Sequence, residues 1–294
     1  MTTNTTAAAS GDFSLGGDLR VNRLGFGAMR IAFGPFDGPP RDPATGVAVL
    51  RRAIELGVNY VDTAAFYELG EASANRVIRE ALYPYEENLV IATKVGPLRG
   101  PDGLPSGHAA PDRLRGLVEE NLDVLGLDRL DLVYLRIGDL TAPAGESLAE
   151  RFTALAALRE EGLIRHLGVS NVNAAQFAEA RSIAPVAAVQ NHFHVHHAGD
   201  ADVLRQCVEL GIAYVPYFPL GGGDRPVDRE RLEKVAARHG ATSTQVALAW
   251  LLATAPVMLA IPGTGDPEHL EENVAAAGLT LTGEDVAELT GGGR

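Results

Sequence analysis

The sequence holds a single cysteine, Cys207, among 294 residues. One thiol excludes an internal disulfide and any zinc site built from several thiolates, and it suits the reducing cytoplasm, where the protein is expected to reside. Long apolar runs are missing too. None approaches the ~20 residues of a membrane span, and the Thr/Ala-rich start from Met1 to Ser10 lacks the basic segment and apolar core of a secretory signal. Positive charge is scarce: 25 Lys and Arg face 38 Asp and Glu, for a formal net charge of -13. That balance opposes sequence-independent attraction to nucleic acid and to anionic membrane surfaces, so neither is expected as a partner. Also absent is a Gly-x-Gly-x-x-Gly fingerprint after the first candidate strand, which an open dinucleotide-binding sheet would carry.

What the chain does have is the composition of a folded globular protein, with 46% hydrophobic and 21% charged residues. Short apolar runs alternate with longer segments of helical period. Candidate strands lie at 24–27, 59–62, 89–94, 131–136, 166–170, 187–190, 212–217 and 258–262. Helical patterns follow them, near 42–56, 71–82, 111–125, 146–161, 173–183, 200–210 and 266–277, with two more at 228–239 and 243–254 between the seventh and eighth strands. Eight strand-helix units predict an α/β fold, a (β/α)8 TIM barrel. An N-terminal β-hairpin around Gly16-Gly17 precedes it and an extra C-terminal helix ends it. No linker or composition shift interrupts 13–294, so this span is expected to be one domain and 1–12 a loose tail.

In a barrel the C-terminal ends of the strands converge on one pocket. These strands deliver Asp62, Lys94, Arg136, Ser170, Asn171, Gln190 and Tyr217, with Tyr67 in the loop after the second. For any one charge here a structural ion pair is as good an explanation as catalysis. The set is harder to dismiss. A phenol of ordinary pKa near ~10 is a poor proton donor at neutral pH; a lysine beside it favours the phenolate, and an aspartate keeps the lysine charged and in place. Such a phenol suits proton transfer to a developing alkoxide.

At these residues the sequence resembles the aldo-keto reductase superfamily: Leu24-Gly-Phe-Gly27, Asn59-Tyr-Val-Asp-Thr-Ala-Ala-Phe-Tyr67, Ala92-Thr-Lys94, Gly168-Val-Ser-Asn171, Val189-Gln-Asn191, Tyr217-Phe-Pro-Leu220, Ile261-Pro-Gly-Thr264 and Glu272-Asn273. The resemblance implies an NADPH-dependent carbonyl reductase that needs no metal and uses NADH less readily. It implies Tyr67 as proton donor, tuned by Lys94 and Asp62, with Tyr217 stacking on the nicotinamide and Ser170, Asn171 and Gln190 holding its carboxamide. Pro219, Leu220, Gly221 and Gly222 would pass close to the pyrophosphate, and Gly263, Thr264, His269, Glu272 and Asn273 would take the far end of the cofactor. Phe33, Phe66, Phe193 and His194 are candidates for the substrate pocket, and Phe36 for another wall of it. A narrower likeness, in Arg79-Glu-Ala-Leu-Tyr-Pro-Tyr85 and Tyr214-Val-Pro-Tyr-Phe-Pro-Leu-Gly-Gly222 among other stretches, is to bacterial pyridoxal reductases, which implies an aromatic aldehyde such as pyridoxal. Reduction of a C=N or C=C bond, or a weakly active cofactor-binding regulatory subunit, are the alternatives; the oligomeric state is not legible.

The chain departs from the family pattern in three places. His269 stands where many relatives have a lysine or arginine, and Asp266 adds an anion there. Glu68 follows Tyr67 where glycine is common. Arg136 occupies a strand end where histidine is usual; it is expected either to hold an anionic or oxyanionic group in the site or to pair with an acid such as Asp139. His192, His194 and His196 would share one face of an extended segment and so raise a metal site as a minor alternative, while Trp250 is expected in the core.

Overall fold

The strand Leu130–Arg136 is apolar at every position but Asp131 and its closing arginine, the composition of a strand covered on both faces. Six more parallel strands accompany it in the computed structural model, which describes residues 5–33, 41–69, 72–99, 105–138, 145–222 and 229–291. Across the sheet the order is Ala213–Tyr214, Val186–Gln190, Ile164–Ser170, Leu130–Arg136, Val90–Val95, Tyr60–Asp62 and Phe26–Gly27. The eighth position is minimal. Met258 bridges to Tyr214 and Ala260 to Leu24, both in parallel, and these two contacts join the sheet's edges into a barrel.

The helices fall where the apolar periodicity puts them, and capping explains their starts. Asp42 accepts from the Ala44 N–H ahead of Pro43–Glu55, and Asn173 with Gln176 and Thr242 with Gln245 form reciprocal capping boxes. Arg23 spans a seam. Its guanidinium donates to the carbonyls of Leu252 (2.5 Å), Ala255 (2.6 Å) and Met258 (3.2 Å), tying the entry of the first strand to the end of helix Ser243–Thr254 and the eighth position.

The N-terminal hairpin, Asp12–Leu15 with Leu19–Asn22, buries Leu15, Leu19 and Val21 against Tyr60, Val90, Leu132 and Leu259 and closes the barrel floor. Residues 5–12 are not the loose tail expected of them. Ala7 is buried and its N–H donates to Leu56 (2.8 Å), and the Ser10 hydroxyl accepts from the Leu24 N–H (3.0 Å). A four-residue 3-10 turn, Ala7–Ser10, has too few residues to leave a periodic signal in sequence. The hairpins Glu68–Leu69/Ala72–Ser73 and Pro97–Arg99/Pro105–His108, both on the strand-end face, escaped the sequence for the same reason.

Inside the barrel two tyrosines, Tyr60 and Tyr134, take space that two glycines leave. A Cβ on Gly168 would lie 2.5 Å from the Tyr134 ring, and one on Gly25 2.7 Å from the Tyr60 ring. Among the described residues no helix is long and apolar enough to cross a membrane.

Candidate active site

Register brings the strand-end residues together. Asp62 lies beside Ala92 of the third strand, whose Lys94 lies beside Tyr134 of the fourth; Arg136 then neighbours Ser170, and Ser170 neighbours Gln190. All therefore sit at one end of the barrel.

Lys94 is the centre of the arrangement and is 1% exposed. Its ammonium has three hydrogens and meets three acceptors: Asp62 Oδ1 at 2.5 Å, the Thr63 carbonyl at 2.7 Å and the Tyr67 hydroxyl oxygen at 3.2 Å. Because that oxygen accepts from Lys94, the phenolic proton is free to be donated elsewhere. Asp62 is buried as well, and its second oxygen accepts from Gln190 Nε2 at 2.7 Å. Burial pushes the Asp62 carboxyl up, opposed chiefly by the charge of Lys94 and then by hydrogen bonds from Lys94 and Gln190.

Arg136, 8% exposed, donates to Ser170 Oγ at 3.2 Å and places its guanidinium 4.7 Å from the Tyr217 ring centroid. Tyr217 donates to Asn171 Oδ1 (2.9 Å), and Asn171 donates to the Ile137 carbonyl (2.9 Å) from a left-handed backbone, φ 61°. Burial raises the Tyr217 pKa and Arg136 opposes it. Asp139, the other candidate partner of Arg136, lies outside the described residues, as does Phe36.

A cleft of about 280 Å³ opens over this cluster, lined by Asp62, Tyr67 and Tyr217, by Pro219, Leu220 and Gly222 from the loop after the seventh strand, and by Gly263. Gly27 and Gly263 form part of its wall, where the backbones pack so closely that a Cβ on Gly27 would collide with the Ile261 carbonyl oxygen and one on Gly263 with the Gly27 carbonyl oxygen. Gly27, Phe218 and Ile261 also line the cleft but entered the sequence reading only inside family motifs, and Met29 and Arg30, which follow the first strand, were missed altogether; Arg30 donates to the Gly222 carbonyl at 3.1 Å. A basic residue just after the first strand was their one signal.

Other expected residues are placed less simply. Phe33 and Phe66 flank Tyr67 edge-on, at 6.3 and 5.3 Å between centroids. Phe193 does not line the cleft. It is 2% exposed and stacks on Trp250 at 5.8 Å, because its strand-exit position turns toward the helix layer. His194 lines a neighbouring cavity of about 330 Å³ with Pro219, Leu220 and Leu232. Thr264 accepts from the Asp266 N–H, and Glu272 is held by the Thr242 hydroxyl at 2.5 Å, so its carboxylate serves a helix cap. His269 is exposed and Asn273 buried. Near this segment Arg41 packs on Gly265 and donates to its carbonyl at 3.4 Å. His192 stacks between classes of ring, 5.4 Å from Tyr217 and 4.4 Å from His197, and burial lowers its pKa to about 4. Among the described residues no group of three His, Cys, Asp or Glu is placed to hold a metal.

The profile of the Aldo/keto reductase family matches residues 23–292. The chain is an aldo-keto reductase. It is 47% identical to pyridoxine 4-dehydrogenase of Escherichia coli (strain K12) over 285 residues, 96% of this chain and 98% of that protein. In structure it resembles a thermostable aldo-keto reductase in complex with the inhibitor epalrestat, with TM-score 0.78 and 31% identity over 93% of this chain and 96% of the other. A Klebsiella pneumoniae aldo-keto reductase in complex with NADPH gives TM-score 0.77 and 26% identity, covering 95% and 93%. As an aldo-keto reductase the chain is an oxidoreductase, and the barrel expected from its strand-helix alternation is the fold of these relatives.

Proposed function

We propose that this aldo-keto reductase is a cytoplasmic enzyme that reduces an aromatic aldehyde of the pyridoxal class with NADPH, Tyr67 supplying the proton. The observation that carries the reading is the Asp62–Lys94–Tyr67 chain, in which one buried ammonium bridges a carboxylate and a phenol that faces the cleft.

The residues present fit a nicotinamide. Gln190 Oε1 is buried and has no hydrogen-bond partner, an acceptor of the kind a carboxamide N–H2 satisfies. Gln190, Ser170 and Asn171 would hold that carboxamide, Tyr217 the ring, Pro219 to Gly222 the pyrophosphate, and Gly263 and Thr264 the backbone beyond it. Arg41, as a cation beside Gly265, supports NADPH over NADH. Bound, the cofactor supplies a hydride for the carbonyl carbon. The chain does the rest. Tyr67 gives its proton to the carbonyl oxygen as negative charge develops there, and Lys94 stabilises the phenolate left behind. Asp62 keeps Lys94 charged and fixed, and Arg136 adds a permanent cation toward the same pocket. The 47% identity to a pyridoxine 4-dehydrogenase supports the substrate class.

Oxidation of NADPH and NADH is to be followed with pyridoxal and a panel of aromatic and aliphatic aldehydes. Tyr67→Phe should lower kcat at least ~100-fold and leave cofactor affinity nearly intact. Tight cofactor binding with no oxidation by any carbonyl would replace this reading with a regulatory one; unchanged turnover in Tyr67→Phe would remove Tyr67 from its role.

A further inference from the structure

We propose that Thr63, Thr93, Asn75 and Asn121 are positioning residues: behind the barrel wall they form one buried hydrogen-bonded network that pins the two strand ends carrying Asp62 and Lys94. The inference rests on the reading of Asp62, Lys94 and Tyr67 as the proton-delivering chain.

Side chains alternate along a strand, so the neighbours of an inward residue face outward. Ala92 packs in the barrel interior while Ile91 and Val95 pack in the helix layer, which sends Lys94 inward and Thr93 outward. Tyr60 and Val61 divide in the same way, so Asp62 faces in and Thr63 faces out. Both outward hydroxyls find partners. Thr63 donates to Asn75 Oδ1 at 2.7 Å, Asn75 Nδ2 donates to Asn121 Oδ1 at 3.0 Å, and the same Asn121 oxygen accepts from the Thr93 hydroxyl at 2.8 Å. Asn121 Nδ2 ends the chain on the Leu117 carbonyl at 2.7 Å. Since Asn75 belongs to helix Ala74–Leu82 and Asn121 to helix Leu114–Leu125, the network joins two helices to two strands.

All four side chains are buried, in a layer otherwise filled by residues such as Val61, Val77, Ile78, Val118 and Leu122. Packing alone would be served by valine and leucine, because buried polar groups cost free energy unless they are hydrogen-bonded. Satisfied networks instead specify a single arrangement. Here the arrangement bears on Lys94 from two sides: the Thr63 carbonyl is one of its three acceptors, at 2.7 Å, and Thr93 is the residue before it. One arm of the network holds an acceptor, and the other holds the strand that delivers the donor. A slip between the two strand ends would be felt most at the Lys94–Tyr67 contact, at 3.2 Å the longest of the three.

The test sets shape against hydroxyl. Thr63→Val and Thr93→Val keep the shape and lose the O–H; Thr63→Ser and Thr93→Ser keep the O–H and lose the methyl. Each is read by kcat, KM for aldehyde, Kd for NADPH and thermal midpoint, and by acetylation of Lys94 with acetic anhydride, measured by peptide mass spectrometry against the exposed Lys234, the chain's other lysine. The valine variants should lower kcat about 5- to 10-fold with KM and Kd nearly unchanged, and should speed acetylation of Lys94 relative to Lys234 at least about 5-fold, as its hold loosens. The serine variants should recover kcat to within about 2-fold of wild type. If Thr63→Val fails to fold, Thr93→Val reads the same network through its other arm. Valine variants with wild-type kcat and acetylation, or serine variants more impaired than valine, would overturn the proposal and leave the network as core packing. Should the wild type bind NADPH without reducing any aldehyde, the functional reading fails, while acetylation still decides whether the network holds Lys94.

Discussion

A guanidinium cannot shed its proton, so Arg136 holds a positive charge in a site where it is only 8% exposed. Its contacts spread that charge over Ser170 and the face of Tyr217, and its field also reaches Asp62 and His192. An imidazole is shorter and is not obliged to be charged. Arg136→His should therefore lower kcat/KM and shift the preference among aldehydes, read from a panel of substrates at fixed NADPH. Full activity with an unaltered profile would return Arg136 to a structural role. The neighbouring histidines behave differently: burial drives His192 and His194 down to about 4, so at neutral pH they are apolar-walled acceptors or donors and carry no charge into the pocket.

At the scale of elements, the last helix, Gly283–Thr290, is tied to helix Arg229–His239 through Asp285, alongside the ion pairs of Glu288 with Lys234 and Arg238 and the hydrogen bond from Trp250 to Thr290. Asp285 accepts from the Thr282 hydroxyl (2.7 Å) and N–H (3.0 Å), from Arg238 (2.6 Å) and from His239 (2.8 Å). The Thr282 hydroxyl first, then His239, hold its carboxyl well below the usual range. A depressed carboxylate stabilises the fold above its unfolded pKa, near ~4, and that contribution is lost as pH falls through the folded value. Asp285→Asn should then cost about 1.5–3 kcal/mol at pH 7, with the difference in thermal midpoint from wild type narrowing as pH is lowered below about 4. A difference independent of pH would show that shape, not charge, holds this helix.

The whole molecule closes through its weakest pairing. Seven strands form continuous ladders, while the eighth position contributes single bridges at Met258 and Ala260, reinforced by Arg23 across the seam. The cleft wall at Gly27 and Gly263 lies on that same seam, so a ligand there ties the first strand to the eighth. At 100 times its Kd, NADPH should stabilise the fold by about 2.7 kcal/mol, seen as a higher thermal midpoint, and should slow hydrogen exchange around 24–27 and 258–263 more than around 130–136. Equal slowing throughout would mean that binding does not act through the seam.

Much of this was legible in the chain itself. Eight apolar runs separated by helical periods imply the barrel, because a parallel strand covered on both sides must be apolar throughout and its crossover helix must be amphipathic. Asp62, Lys94, Tyr67, Arg136 and Gln190 could be found because barrel topology sends every strand end to one pocket. Phe193 was misplaced because a residue just past a strand end faces either the pocket or the helix layer, a choice of one backbone rotation that sequence does not encode. Arg30 and Arg41 were missed because they lie far in sequence from the loops they meet.

By itself, then, the sequence determined the repeating unit, the end of the barrel that bears chemistry and the groups available there, since these follow from local period and charge. Only the tertiary structure decided which atoms pair: that Lys94 divides its three hydrogens among Asp62, Thr63 and Tyr67, that Gln190 turns its nitrogen to Asp62 and leaves its oxygen unpartnered, and that two phenols meet beneath them. Hydrogen bonds reach about 3 Å, and residues up to 128 positions apart, as Gln190 and Asp62 are, come within that reach only once the barrel has closed.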